Sequence, residues 1–132
     1  MSMVQILIGD DSIEYGRQIQ RYMTDNYLPS EICPHLGTAV IEAAKRLSPK
    51  ILICDEILRD MTVYDIIDAV RTDSTAKPYV IITTPCPDSN VRSKIRQLRN
   101  VSLFMKPYDL DILFDHCLKI LNNNLQISPL QM

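Results

Sequence analysis

The stretch PKILICDEILRDM, Pro49 to Met61, decides the fold. Ile51, Leu52, Ile53 and Cys54 run without a polar break into two acids, Asp55 and Glu56. An unbroken apolar run of this length reads as a strand covered on both faces, not one wetted on alternate residues. Asp55 then stands where that strand meets water.

The neighbouring sequence repeats the pattern. VQILIG (4–9), YVIIT (79–83) and VSLFM (101–105) are similar runs, and EICPHL (31–36) is a weaker one. Pro34 lacks a donor, which assigns that run to a sheet edge.

Between the runs the period changes to that of a helix. Ile13, Gly16, Ile19, Tyr22 and Met23 form one stripe behind Ser12 as N-cap, and Val40, Ala43, Ala44 and Leu47 form another with Thr38 as its cap. Val63, Ile66, Ile67 and Val70 make the third stripe, and Val91, Ile95 and Leu98 the fourth. The last helix opens at Asp109 and turns Leu110, Leu113, Phe114, Cys117 and Leu121 inward.

Five strands alternating with five helices require a parallel sheet with right-handed crossovers and helices on both faces. The expected fold class is α/β, a flavodoxin-like doubly wound five-stranded sheet in the order 2-1-3-4-5. Residues 1–121 form the domain, and 122–132 read as a C-terminal tail or the start of a linker.

Composition narrows the function. The chain has 132 residues, 46% of them hydrophobic, enough for one domain without disulfides or metals to hold it. A formal charge of −2 argues against direct nucleic-acid binding by this domain. No run is long enough to span a membrane, and no basic region precedes the first apolar run as in a signal peptide. Cys33, Cys54, Cys86 and Cys117 show no CxxC spacing, and His35 and His116 do not complete a zinc pattern. Reduced thiols and a cytoplasmic location are expected.

The residues that follow each run carry the chemistry. Asp10 and Asp11 end the first, Asp55 the third, Thr83 and Thr84 the fourth and Lys106 the fifth. In an open α/β sheet these ends share one edge, where ligands bind. Two carboxylates about 5 Å apart repel by roughly 3 kcal/mol at an effective dielectric near 20, so three acids at one edge call for a cation. Mg²⁺, which takes oxygen ligands and binds phosphates, suits them. A carboxylate so neutralised can attack a phosphoryl donor.

These residues resemble the receiver domain of bacterial two-component response regulators over about residues 4–121. ILIGDD resembles the family's first strand and acidic pair, PKILICD its phosphoacceptor strand, YVIITT its hydroxyl strand and LFMKP its Lys-Pro. The resemblance implies that Asp55 takes the phosphoryl group from a histidine kinase or phosphotransfer protein, a reaction the domain itself catalyses. It implies Mg²⁺ on Asp10, Asp11, Asp55 and the Ile57 carbonyl, with Lys106 on the phosphate and a cis peptide before Pro107. Thr83 and Thr84 are both candidates for the hydroxyl; Thr84 is preferred, being 22 residues before Lys106 and six after Pro78.

The chain also departs from the family. Leu58-Arg59 replaces Met-Pro, Val63 a glycine, and Pro85 the small residue after the hydroxyl. Leu103 stands where an aromatic is usual, with Phe104 one place off and facing the other way. Ile57 and Cys86 occupy positions that can orient attacking water, and neither suits that task, so the phosphoryl group is expected to leave slowly. Arg92, Lys94, Arg96 and Arg99 read as a solvated basic face, although the family uses its fourth helix, fifth strand and fifth helix for homodimers or output. A DNA-binding effector domain in a longer parent is a further implication. The alternative is an atypical receiver used as a phosphorylation-independent protein-interaction module. A flavodoxin-like nucleotide site lacks its phosphate cradle here, and an aspartate phosphatase lacks the second acid two residues on.

Overall fold

The computed structural model describes residues 4–73, 77–122 and 130–131. Along the chain run β1 (Ile6–Asp10), α1 (Ile13–Asp25), β2 (Ser30–Pro34), α2 (Gly37–Leu47), β3 (Ile51–Asp55) and α3 (Val63–Asp73). They are followed by β4 (Tyr79–Thr84), α4 (Ser89–Arg96), β5 (Val101–Met105), α5 (Leu110–Leu121) and β6 (Leu130–Gln131). The sheet is parallel throughout, in the order β2-β1-β3-β4-β5-β6.

Five strands and five helices stand in the expected order. The two-residue β6 is an addition: Leu130 and Gln131 pair with Leu103 and Phe104. The rest of the expected tail beyond Asn122 lies outside the described residues.

The period of two in each strand sorts the core into two layers. Ile6, Ile8, Ile51, Ile53, Ile81 and Phe104 pack with Ile19, Met23, Leu113 and Cys117 of α1 and α5. Leu7, Leu52, Cys54, Val80, Ile82 and Leu103 pack with α2, α3 and α4. Each fully covered Ile or Leu contributes about 1.5–3 kcal/mol of burial. Phe104 and Leu103 thus face opposite layers, as expected.

Two expectations about the helices are corrected. Ile13 is exposed and Tyr22 only half-buried, so the α1 stripe narrows to Gly16, Ile19 and Met23. The Tyr22 hydroxyl instead donates to the Asp111 carboxylate on α5. Thr38 is not the cap of α2, because that helix begins one residue earlier, at Gly37, behind Leu36. The free N–H groups of Gly37 and Thr38 donate to Asp60 from the β3–α3 loop, at 2.6 and 3.2 Å. Ser12, Asp88 and Asp109 cap α1, α4 and α5 with their own side chains. Helix α4 ends at Arg96, which leaves Leu98 half-buried in the following turn.

A polar group sits inside the α1/α5 layer. His116 Nε2 lies 2.8 Å from Ser102 Oγ, which also contacts the Tyr79 hydroxyl, and the Phe104 ring covers the imidazole edge-on. Burial, and next the charge of Lys119, push His116 down to about 4. The unfolded chain therefore binds a proton near pH 6.5 that the native protein refuses. This lowers stability as pH falls from about 6.5 to 4, by up to roughly 3 kcal/mol. Urea unfolding of the wild type is expected to lose stability over that window, and His116→Gln to lose markedly less. Asp10, raised in the fold, pulls in the opposite sense in both proteins, so the difference between them isolates His116.

Candidate functional site

Strand parity delivers the site. Asp10 continues the face of Ile6 and Ile8, Asp55 that of Ile51 and Ile53, Thr83 that of Ile81, and Lys106 that of Phe104. Each is the first polar residue after its apolar neighbours on the α1/α5 side, so all four meet at the carboxyl edge of β1, β3, β4 and β5.

The contacts are close. Lys106 Nζ lies 2.6 Å from Asp55 Oδ1 and 3.1 Å from Asp10 Oδ2. Thr83 Oγ1 donates to Asp55 Oδ1 at 2.7 Å, and the Asp11 N–H donates to Asp55 Oδ2 at 2.9 Å. Ser12 N–H donates to Asp10 Oδ1 at 2.8 Å. Asp10 and Asp55 are buried, and the Asp11 side chain is exposed at the rim. The Lys106-Pro107 bond is cis.

Of the two candidate hydroxyls, the structure brings Thr83 to Asp55. Thr84 faces the other layer, and its hydroxyl donates to Glu56 Oε1 at 3.2 Å. Glu56 Oε2 accepts from Tyr64 at 3.3 Å. Burial, and next the charge of Glu56, raise Tyr64 to about 12.

Burial raises the Asp10 carboxyl above its usual range; the Ser12 N–H and Lys106 pull it down, and the Asp55 charge adds to the rise. Burial alone would lower Lys106, but its hydrogen bond to Asp55 and the charges of Asp55 and Asp10 outweigh that and raise it. The ammonium also lies 4.5 Å from the centre of the Tyr15 ring, whose face attracts a cation.

Asp10, Asp11, Asp55, Glu56 and Lys106 line an open cleft of about 520 Å³ with Ile57, Thr83, Thr84 and Cys86. Four acids face one ammonium there. Among the described residues no three acidic, thiol or imidazole side chains converge tightly enough to hold an ion as they stand. The donor set nonetheless fits Mg²⁺ in kind: every candidate is a hard oxygen, and the cleft is lined by four acids and a single ammonium. The bridge between Ile57 and Thr62 is closed by Leu58 N–H to Met61 and Val63 N–H to Glu56, bonds that do not use the Ile57 carbonyl.

Sequence reasoning named Asp10, Asp11, Asp55, Ile57, Thr84 and Lys106, and all line this cleft. It did not single out Glu56 as the partner of Thr84, nor Tyr15 over Lys106. It weighed the two threonines by their distances from Lys106 and Pro78; the alternation counted on from Ile81 adds that Thr83 is the one sharing a face with Asp55.

No protein-family profile matches the chain. Solved structures do. The chemotaxis protein CheY4 of Vibrio cholerae aligns with a TM-score of 0.80 at 19% identity, over 90% of this chain and 99% of that one. The signal receiver domain of a LuxO repressor protein from Vibrio parahaemolyticus gives 0.79 at 21% identity, over 95% and 98%. A response regulator receiver domain from Bacillus halodurans gives 0.71 at 21%, over 89% and 96%. The fold is that of receiver domains: five parallel strands in the order 2-1-3-4-5, with five helices.

Proposed function

We propose that this domain is a phosphoacceptor receiver, taking a phosphoryl group onto Asp55 from a histidine kinase or phosphotransfer protein. One observation carries the reading. A buried carboxylate at the carboxyl edge of the central strand is held by an ammonium, a hydroxyl and a backbone N–H, in a cleft open to a donor.

Mg²⁺ would be held by Asp10, Asp11, Asp55 and the Ile57 carbonyl, and when bound it supplies positive charge to the acids and to the incoming phosphoryl oxygens. The chain's own residues do the rest. Thr83 and the Asp11 N–H orient the Asp55 carboxylate, one oxygen of which attacks phosphorus. The bond from phosphorus to the donor's nitrogen or oxygen breaks, and the leaving group keeps the electron pair. Lys106 then serves the phosphoryl oxygens as a point charge. Thr84 is the hydroxyl that would answer: to reach the phosphoryl group it must leave Glu56, and Pro85 behind it holds its backbone towards extended conformations.

Residues 1–121 would form this module, in the cytoplasm, with any DNA-binding effector in another part of a longer parent. A homodimer through α4, β5 and α5 is one form the output could take. Beryllofluoride with Mg²⁺ tests the reading by NMR. Shifts at Asp55, Thr84 and Lys106 support it, whereas an unchanged spectrum would favour a module that binds partners without phosphorylation.

The rim makes a further prediction. Ile57 is 66% exposed and Cys86 is exposed, and neither offers a strong hydrogen-bonding group to attacking water. Loss of the phosphoryl group, followed by Phos-tag electrophoresis, is expected to take minutes or longer. A half-life of seconds would contradict this.

A further inference from the structure

The candidate metal ligands come from the ends of β1 and β3 and the loops that follow them, joined directly where the Asp11 N–H donates to Asp55. The β1–α1 loop brings Asp10 and Asp11, and the β3–α3 loop brings the Ile57 carbonyl. Both are tied to a third loop that lies outside the cleft.

That third loop is the corner between β2 and α2. The register pairs Asp10 with Pro34, so the next residues, Asp11 and His35, emerge side by side. His35 takes the left-handed backbone region, at φ 48°, and its Nδ1 lies 3.0 Å from the Asp11 carbonyl oxygen. A carbonyl can only accept, so Nδ1 carries the proton and donates. The His35 carbonyl in turn accepts the Arg59 N–H at 3.3 Å. Two residues on, the Gly37 and Thr38 N–H groups hold Asp60, whose carboxyl Gly37 above all keeps below its usual range. Met61 packs so close over Gly37 that a Cβ there would overlap its side chain.

We infer that His35 is a positioning residue for the metal site: its Nδ1–H holds the Asp11 main chain while its carbonyl holds the β3–α3 loop, fixing the spacing between the two ligand loops. The inference rests on the reading of the cleft as a Mg²⁺ site. It concerns a residue that touches neither the ion nor the phosphoryl group. Asp11 is the last link, because its N–H donates to Asp55. The held carbonyl shares its peptide plane with the Ser12 N–H, which donates to Asp10 Oδ1 at 2.8 Å, so the same contact also steadies that donor.

Two substitutions separate the donor from the ring. His35→Phe keeps the ring and removes the donor. His35→Asn places an amide N–H where Nδ1 was and tolerates a left-handed backbone better than most residues. Mg²⁺ affinity is read from an NMR titration of the full chain, and hydrogen exchange at the Asp11 amide is read without metal. His35→Phe is expected to weaken Mg²⁺ by roughly tenfold, as loss of an outer-shell partner does elsewhere. It should speed Asp11 exchange about fivefold, the worth of one hydrogen bond. His35→Asn is expected to restore both. Wild-type affinity and exchange in His35→Phe, or equal losses in both variants, would overturn the inference. If the wild type itself bound no Mg²⁺, the functional reading would fall, and Asp11 exchange would still decide whether His35 holds that loop.

Discussion

Asp55→Asn is expected to lose phosphoryl uptake from acetyl phosphate by roughly 10⁴-fold or more, the scale on which removal of a nucleophile acts. The fold should persist, since the amide oxygen can still accept from Thr83 and Lys106. What the variant cannot do is offer an anionic oxygen to phosphorus. A second readout accompanies the first. Asp10 is raised by burial and also by the charge of Asp55, so removing that charge must bring the Asp10 carboxyl down. Carboxyl NMR titration of wild type and variant checks the sign. Uptake at a wild-type rate in Asp55→Asn would mean that another residue accepts the group.

Lys106→Met is the substitution expected to cost the fold most at neutral pH. Lys106 contacts both Asp10 and Asp55, and its loss leaves two buried carboxylates facing each other. Breaking a buried ion pair typically costs about 3–5 kcal/mol. The Lys106 side chain is 16% exposed, which screens part of that, so a loss of about 2 kcal/mol is expected without metal. Because Mg²⁺ would supply the missing charge, urea unfolding in millimolar Mg²⁺ should recover most of it. A variant as stable as wild type in metal-free buffer would show that the acids are not under strain. Mg²⁺-independent destabilisation would show that the cleft does not take the ion.

The architecture was legible because covered parallel strands leave plain marks. Ile51 to Cys54, Ile6 to Ile8 and Tyr79 to Ile82 could not be mistaken for half-wetted strands, and Ser12 and Asp109 announced their helices. The convergence of Asp10, Asp55 and Lys106 followed from which edge the strands share. The sequence pattern was weaker where residues meet across loops. Asp60 displaced Thr38 as the effective cap of α2 because the β3–α3 loop folds onto that helix end, and no local spacing reports such a contact. His35 reads as an unremarkable loop histidine until β2 is set in register beside β1.

The threonines show the same limit. Counting residues to Lys106 runs through α4 and two loops, where lengths vary without altering which way a strand residue faces. The pairing of Asp55 with Thr83 is a matter of register and parity, and it separates the hydroxyl that orients the carboxylate from the one held by Glu56. On the proposed function, Glu56, beside Asp55, is the partner Thr84 would have to leave to turn to a phosphoryl group.

Everything in this reading depends on Asp55 being a nucleophile towards phosphorus in a Mg²⁺-bearing cleft. Intact-protein mass spectrometry after acetyl phosphate treatment, with and without Mg²⁺, followed by borohydride reduction and peptide mapping, measures that directly. The expected result is one added phosphoryl group, only with Mg²⁺, and reduction at position 55. No mass gain with Mg²⁺ present, or a reduced residue anywhere else, would contradict it.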